Sequence, residues 1–278
     1  MELTSYTFRQ WLLFFYFYCF IGWCIESAIV SVDQKRWVNR GFLRGPLLPL
    51  YGTGAVVILL ASRLVGNRPA AVFMAGTAAA TVLEYFVGWG MESLFKIKYW
   101  DYSAKRFNLH GRICLMSSLF WGFLSLLMTF LIHPPVERLI LGLSPAWVLS
   151  IDLAVSAVFL LDIVYSVRGA LDLNKLLANI TRIRAELAHL SAQLEERGEE
   201  LLQEREQIRQ KLSSLREELE DAFQRVGFLK SSLLKAFPHA HSRHYGAALK
   251  DLRARLTEKI KKQELSSRRG PDEKGPLG

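Results

Sequence analysis

Apolar residues form five long runs within the first 168 positions of the chain, and short polar stretches separate these runs. Each run reaches roughly the 20 residues that an α-helix needs to cross the hydrocarbon core of a bilayer. The pattern predicts an all-α fold, with a five-helix transmembrane bundle over residues 1–168. The predicted spans are 8–32, 47–65, 70–95, 113–132 and 146–167. A loop is predicted from His133-Pro134-Pro135 to Ser144-Pro145, because prolines and small polar residues interrupt the apolar pattern there.

After position 168 the pattern changes to apolar residues at seven-residue intervals. The main row consists of Leu173, Ile180, Leu187, Leu194, Leu201, Ile208 and Leu215. This spacing predicts a cytoplasmic coiled coil over residues 169–236. A second apolar row, formed by Leu176, Ile183 and Leu190, is followed by the polar residues Arg197, Glu204 and Lys211. These residues and Gly198 weaken the middle of the predicted seam, which leaves two interpretations. Either one long, locally loosened helix pairs with another chain, which we favour, or the helix folds back on itself near Gly198.

The remaining residues predict a short helix and a tail. Phe237-Pro238 ends the predicted coiled coil, because a proline inside a helix breaks it. Residues 237–264 predict a short amphipathic helical segment. Its apolar side is formed by Tyr245, Leu249, Leu252, Leu256 and Ile260. Residues 265–278 are polar and are predicted to form a disordered basic tail.

Positive charge is unevenly divided among the predicted loops. The loops after the first and third spans carry Lys35, Arg36, Arg40, Arg44, Lys96, Lys98, Lys105, Arg106 and Arg112, whereas the other two carry Arg63, Arg68 and Arg138. Because basic loops stay in the cytoplasm, the N-terminus is predicted outside and the C-terminus inside. The net charge of +9 fits such loops and a basic tail near anionic lipid, and no nucleic-acid-binding signature accompanies it.

The pattern Gly-Trp-x-x-Glu-Ser occurs twice, at residues 22–27 and at residues 88–93. Each copy ends a predicted span and leads into a basic loop that holds an asparagine near an arginine. This arrangement predicts two parallel helix-loop-helix repeats, related by an axis along the membrane normal. If the two halves face one another, Glu26 would pair with Arg112 and Glu92 with Arg40, because guanidinium and carboxylate groups bind each other in a bidentate manner.

Carboxylates in or near the predicted spans are the main candidate site residues, because an ionisable group in a membrane is costly and is often functional. They are Glu84, Glu92, Glu26 and Asp162. Glu84 lies on one helix face with Thr77, Thr81, Gly88 and Glu92, while Tyr18 occupies its position in the other repeat. Two interpretations stay open: the carboxylates line a substrate or ion path, or they are structural groups locked to an arginine or a tyrosine.

The basic loops supply a second set of candidates. Arg40, Arg44, Asp101, Asn108 and Arg112 are predicted to form a cytoplasmic gate or anion-binding loops, since the glycine-rich first loop allows close backbone approach. A P-loop motif is absent, which argues against ATP hydrolysis by this chain.

The sequence predicts no catalytic residue, no cofactor and no metal site. The cysteines Cys19, Cys24 and Cys114 lie in apolar runs, and the histidines His239, His241 and His244 lack companion ligands.

Several motifs carry a resemblance to a known family. They are Gly22-Trp23-x-x-Glu26, Asn39-Arg40-Gly41-Phe42-Leu43-x-Gly45-Pro46, Pro49-x-Tyr51-Gly52, Glu84-Tyr85, Trp100-Asp101-Tyr102-Ser103, Phe107-Asn108-Leu109-x-Gly111-Arg112, Trp121-Gly122 and His133-Pro134. With these motifs, about residues 8–168 resemble the bacterial family of putative ABC-transporter type IV proteins, which are small predicted permeases. The resemblance implies a multi-pass protein of the bacterial plasma membrane, and it does not extend to the coiled coil.

Three functions follow as expectations, in descending order. The first is a transporter permease without its own ATPase, whose polar path is lined by the intramembrane carboxylates. The second is a membrane scaffold or regulatory subunit that uses its coiled coil to form a homodimer or to recruit a cytoplasmic protein partner. The third is a membrane enzyme acting on lipid headgroups, ranked last because no nucleophile or metal set is recognisable. The lipid bilayer is the expected partner in every case, and the leading expectation is not an enzyme.

Overall fold

The computed structural model describes residues 6–66, 68–196 and 202–268, and the regular structure within them is helical apart from one small hairpin and one isolated β-bridge. The helices are α1 (Phe8–Asp33), α2 (Pro49–Val65), α3 (Pro69–Phe95), α4 (Leu115–Leu127), α5 (His133–Leu141), α6 (Pro145–Glu196), α7 (Leu202–Gln224), α8 (Phe228–Ala236) and α9 (Gly246–Arg268). The strands β1 (Asn108–Leu109) and β2 (Ile113–Cys114) pair antiparallel, with Asn108 opposite Cys114. The chain divides into two compact units, Met1–Leu171 with Lys235–His241, and Asp172–Leu234 with Ser242–Gly278.

Four helical stretches in the described part are long and apolar enough to cross a membrane. They are Phe8–Asp33, Pro69–Phe95, Leu115–Leu141 and Pro145–Glu195. The second predicted span corresponds to α2, a shorter apolar helix of 17 residues. At 1.5 Å per residue such a helix is about 26 Å long, against a hydrocarbon core of about 30 Å. The all-helical, multi-pass prediction is therefore confirmed, while the second span, and with it the count of five, stays a prediction.

The fourth span is longer than predicted. A π-helical turn, Met128–Ile132, joins α4 to α5, and the helix continues to Leu141. The loop predicted from residue 133 is therefore wrong over most of its length. Pro134 and Pro135 follow the π-helical turn and occupy the first turn of α5, where a missing N–H donor costs little. The wider turn before them relieves the clash that a proline ring makes with the preceding helical turn.

Glycines let the helices of the first unit approach closely. A Cβ atom on Gly52 would lie 2.3 Å from Cys19 Sγ on α1, and one on Gly76 would lie 2.0 Å from Ser125 Oγ on α4. A Cβ on Gly122 would lie 2.2 Å from Thr77 Oγ1 on α3. Membrane helices gain little from hydrophobic burial against one another, so they depend on this kind of tight backbone packing.

In the second unit, the C-terminal part of α6 packs against α7. Ile183 and Leu190 of α6 form one buried cluster with Leu212 and Leu215 of α7. Ion pairs join Arg182 to Glu218 and Lys211 to Glu186, so residue numbers rise on one helix as they fall on the other. The two helices are antiparallel. The favoured single long helix is therefore wrong and the fold-back alternative is correct, while the predicted position of the turn, near Gly198, lies outside the described residues.

Helix α9 belongs to the same unit. Leu249 and Leu252 are only 2% and 1% exposed. Arg255 donates two hydrogen bonds to the carboxylate of Glu220 on α7, at 2.6 and 2.7 Å. The apolar side predicted for this segment faces inward at these two positions. The helix runs to Arg268, so residues 265–268 are helical rather than disordered, and the rest of the predicted tail lies outside the described residues.

Candidate functional site: the paired carboxylates of the first unit

Glu92, in the last turn of α3, forms an ion pair with Arg112 in the turn between β1 and β2. Arg112 donates from Nε and Nη2 to Glu92 Oε2, at 3.0 and 2.7 Å. The two side chains are only 17% and 16% exposed. Arg112 Nη1 also donates to the Tyr85 hydroxyl at 3.2 Å, and Trp100 Nε1 donates to the Arg112 carbonyl at 2.9 Å. The turn is thereby held against the end of α3.

Glu26 of α1 has a similar environment. Arg40 Nε lies 3.6 Å from Glu26 Oε2, and the Tyr51 hydroxyl donates to Glu26 Oε1 at 2.7 Å. The backbone N–H of Arg40 donates to Ser27 Oγ at 3.1 Å. Burial lowers the pKa of the Arg40 guanidinium, and the charge of Glu26 opposes that lowering. An arginine stays charged under these conditions, so the pair is ionic.

Each glutamate therefore pairs with the loop that follows its own helix. The crosswise pairs predicted between Glu26 and Arg112, and between Glu92 and Arg40, are wrong. The reason lies in the course of the first loop. Trp23 Nε1 donates to Asn39 Oδ1 at 2.6 Å, and the Leu48 N–H donates to a carbonyl of α1 at 3.0 Å. These bonds return the loop to α1, which places Arg40 beside Glu26.

Asp101 and Asn108 shape the second loop. Asp101 Oδ1 accepts hydrogen bonds from the Ser103 N–H at 3.0 Å and from the Ser103 hydroxyl at 2.5 Å. Burial would raise the pKa of Asp101, but these bonds and the Lys98 charge outweigh it and hold the pKa below its usual value. Asn108 Oδ1 accepts from the Gly111 N–H at 3.1 Å. Gly111 has φ +70°, and a Cβ there would lie 2.3 Å from Asp101 Oδ1, so only glycine fits.

Glu84 is buried in α3, with 5% of its surface exposed. Trp121 Nε1 donates to Glu84 Oε2 at 3.0 Å, and the Tyr102 hydroxyl approaches Oε1 at 3.4 Å. The carboxylate is thus held by neutral donors, and Tyr102 is the kind of partner expected for a structural carboxylate. On the same helix, the hydroxyls of Thr77 and Thr81 are buried and have no hydrogen-bond partner in the described part of the chain.

Asp162 of α6 binds the first loop. Its carboxylate accepts from the backbone N–H groups of Arg44 at 3.0 Å and Gly45 at 2.7 Å, and the Ser166 hydroxyl donates to it at 3.2 Å. A Cβ on Gly45 would lie 3.0 Å from the Asp162 Oδ2 atom. The glycine in this loop therefore allows a carboxylate of the same chain to approach its backbone.

A segment far along the chain also belongs to this unit. In Lys235–His241, which we call the docked segment, the backbone N–H and carbonyl of His241 pair with those of Lys98 at 2.9 and 2.7 Å. The ring of Phe237 lies 4.7 Å from that of Tyr99, and the Arg40 guanidinium lies 4.3 Å above the Phe237 ring. Sequence reasoning treated this segment only as a helix end. An aromatic residue before a proline in a charged stretch was the available signal.

Asp152 is a buried acid that sequence reasoning did not single out. Asp152 of α6 is 5% exposed, and its two carboxylate oxygens have no hydrogen-bond partner in residues 6–66, 68–196 and 202–268. In the same ranges, no three His, Cys, Asp or Glu side chains lie close enough to hold a metal ion. The candidate chemistry of the unit is therefore that of carboxylates and arginines.

The apolar helices and their paired carboxylates define a multi-pass α-helical membrane protein. The model of the family described as putative ABC-transporter type IV matches residues 13–167, and the chain belongs to that family. The match ends before the helical hairpin of the second unit. Comparisons with curated proteins and with solved structures found no match.

Proposed function

We propose that the protein is a membrane scaffold or regulatory subunit of a transporter system. The observation that carries this proposal is that the four carboxylates singled out by sequence are all engaged by partners in their own unit. Glu26 and Glu92 bind arginines, Glu84 binds a tryptophan, and Asp162 binds backbone N–H groups. A carboxylate that conducts a substrate or an ion has to exchange its partners during each cycle.

Exchange would be costly at the Glu92 pair in particular. Arg112 would have to release a carboxylate that is mostly removed from water, and an unpaired charge in such a place costs several kcal/mol. The pairs are better suited to holding the loops in one position. A fixed loop surface is what a scaffold needs in order to bind a partner.

The docked segment supplies a route for regulation. It is joined in sequence to the second unit on both sides, at Leu234 and at Ser242. Its carbonyl at Ala236 accepts from Arg40 Nη1, and its Phe237 ring covers the same guanidinium. A cytoplasmic partner that bound the helical hairpin and withdrew this segment would remove both contacts from Arg40. The state of the Glu26 pair would then report partner binding.

Replacing Phe237 by Ala is expected to release the docked segment, because that ring makes its aromatic contacts with Tyr99 and Arg40. Hydrogen–deuterium exchange should show at least tenfold faster exchange of the Lys98 and His241 amides, which bond to each other's carbonyls. Phe107→Ala, at a ring that is 77% exposed, is the matched control and should leave both amides unchanged. Unchanged protection in Phe237→Ala would show that the aromatic contacts do not hold the segment.

A permease is the second candidate, and one set of observations favours it. Thr77 and Thr81 of α3 and Asp152 of α6 carry buried oxygen atoms without partners in the described residues. Such groups in a membrane helix can bind water or ions along a path. The transporter description of the family agrees with this candidate.

A flux assay separates the two candidates. The full chain is reconstituted into vesicles, and proton and sodium gradients are applied to wild type, Glu84→Gln and Asp33→Asn, the last of which changes an exposed carboxylate at the end of α1. The scaffold proposal predicts no flux above that of empty vesicles for any of the three. Flux in wild type and Asp33→Asn that Glu84→Gln abolishes would overturn the scaffold proposal and support the permease.

A further inference from the structure

A cavity of about 380 Å³ lies where the end of α2 meets the π-helical turn and α5, apart from all four paired carboxylates. Its polar lining comes from Tyr6, Ser62, Arg63, Thr129, His133 and Glu137, which sit in one unit of the structure. We call it the Arg63 cavity. Its volume falls in the range of small-ligand sites, which is about 300–1,000 Å³.

Arg63 is short of the acceptors that a buried guanidinium needs, although the Tyr6 hydroxyl lies within reach of its charge. Its Nη1 and Nη2 atoms are buried and have no hydrogen-bond partner in the part of the chain that the structure describes. The guanidinium carbon lies 4.0 Å from the centre of the Tyr6 ring and 5.4 Å from that of Trp11. These rings contact the face of the guanidinium and leave the N–H groups at its edge unsatisfied. A buried donor without a partner costs about 1–3 kcal/mol, and more when it is charged.

The other polar groups of the cavity have partners already. The Tyr6 hydroxyl donates to Glu137 Oε1, so the Tyr6 oxygen is free to accept from His133 Nε2, which lies 3.2 Å away. The opposite nitrogen, His133 Nδ1, then accepts from the Tyr18 hydroxyl at 3.0 Å. A neutral histidine satisfies this chain of bonds completely. Glu137 is therefore bound to Tyr6.

The hydroxyls of Ser62 and Thr129 lie 3.0 Å apart, and either can donate to the other. One hydroxyl proton of this pair has no acceptor within the pair. The cavity wall thus holds the two guanidinium NH2 groups of Arg63, which lack an acceptor, and one hydroxyl proton of the Ser62–Thr129 pair. Because the carboxylate of Glu137 on the same cavity wall repels negative charge, a ligand with one negative charge fits this cavity better than a ligand with two.

We infer that the Arg63 cavity binds a small organic anion through a single carboxylate or phosphodiester group. The two oxygens of such a group match the two Nη atoms of Arg63 in the bidentate arrangement. The apolar body of the ligand would lie against Leu59, Phe130 and Pro134, which complete the lining. A free carboxylate from solution and a lipid phosphodiester present the same chemistry. This inference does not depend on the proposed scaffold role.

The first test uses sodium hexanoate, a carboxylate with a short apolar body. The full chain is purified in neutral detergent, and binding is followed by isothermal titration calorimetry. Wild type should bind hexanoate saturably, and Arg63→Gln should weaken binding at least tenfold because the guanidinium is removed. Arg68→Gln is the matched control, since Arg68 lies just beyond the end of α2 and is exposed, and the affinity of this variant should change less than twofold.

The second test examines the lipid source. The chain is placed in nanodiscs of phosphatidylglycerol or of phosphatidylcholine, and thermal unfolding is measured. A phosphodiester site for an anionic lipid predicts that phosphatidylglycerol raises the melting temperature of wild type and Arg68→Gln, but not of Arg63→Gln. A response to hexanoate alone would assign the site to a soluble anion, and a response to phosphatidylglycerol alone would assign it to a lipid.

Arg63→Lys keeps the positive charge, so it serves if Arg63→Gln does not fold. Lysine cannot form the two parallel bonds, and affinity should fall about fivefold to tenfold. The inference is overturned if wild type binds neither probe, or if binding is the same in wild type and in the folded Arg63 variant.

Discussion

Glu92 and Arg112 are expected to be coupled by about 2 kcal/mol in a double-mutant cycle, whereas Glu26 and Arg112 are expected to act independently. The structure places Arg112 Nη2 2.7 Å from Glu92 Oε2, with both side chains less than a fifth exposed. Removing one partner leaves the other charge mostly buried and unpaired. The expected coupling lies between that of an exposed pair, at most about 1 kcal/mol, and that of a fully buried pair, about 3–5 kcal/mol.

The cycle uses Glu92→Gln, Arg112→Ala and the double variant, and the free energy of unfolding is measured in mixed micelles. A parallel cycle with Glu26→Gln and Arg112→Ala is the control. The reverse result, additive effects at Glu92 and coupling at Glu26, would mean that the pairs cross between the two loops.

Gly52→Ala is expected to destabilise the protein by about 1–3 kcal/mol or more, the range for overpacked cores. A Cβ at this position would lie 2.3 Å from Cys19 Sγ and 2.6 Å from the Phe15 carbonyl oxygen. A backbone oxygen cannot rotate away as a side chain can, so α1 and α2 would have to separate. Because these two helices carry Glu26 and Tyr51, the hydrogen bond between them should weaken as well.

Gly90→Ala is the matched control for Gly52→Ala. Gly90 also lies within a helix of the first unit, α3, and a Cβ there would meet no atom within 4 Å. Alanine should therefore stabilise the protein at this position, by about 0.5–1 kcal/mol, through its higher helix propensity. The two variants should shift the melting temperature in opposite directions. No loss of stability at Gly52 would contradict the packing between α1 and α2, and a loss at Gly90 would contradict the open space beside that position of α3.

Small residues also prepare the carboxylate site. Gly88 lies one turn before Glu92, and a Cβ on it would be 3.2 Å from Trp100 and 3.5 Å from Arg112. The bare surface of α3 at this point allows the second loop to approach the helix. The sequence pattern Gly-Trp-x-x-Glu-Ser therefore contains both the charge that binds the loop and the space that admits it.

Several features could be predicted from sequence because they depend on one residue and its neighbours along the chain. The transfer of an apolar side chain from water is a property of that side chain, so apolar runs locate the helices well. The same argument selected Glu26, Glu84, Glu92 and Asp162 as unusual, because a charge in an apolar run is costly wherever it packs. Each of them does have a specific partner in the structure.

The choice of partner could not be predicted in this way. Glu92 had several arginines within reach, and only the return of each loop to its own helix decided between them. Tyr102 and Trp121, the partners of Glu84, are 18 and 37 residues away in sequence, and nothing in the local pattern connects them to it. Asp152 and Arg63 were passed over because their significance lies in what surrounds them.

The sequence by itself determined that this chain is helical, that it crosses a membrane several times and that its carboxylates would need partners. These properties follow from the free energy of transferring each side chain out of water, which depends mainly on the type of residue. The tertiary structure alone decided that the heptad region folds back into a hairpin, that the docked segment contacts Arg40 and that Arg63 faces a cavity. The apolar seam of a heptad repeat can be buried against a helix of a second chain or against another helix of the same chain, and an arginine can pair with any acceptor. Only the positions of residues distant in sequence therefore settle which partner each one has.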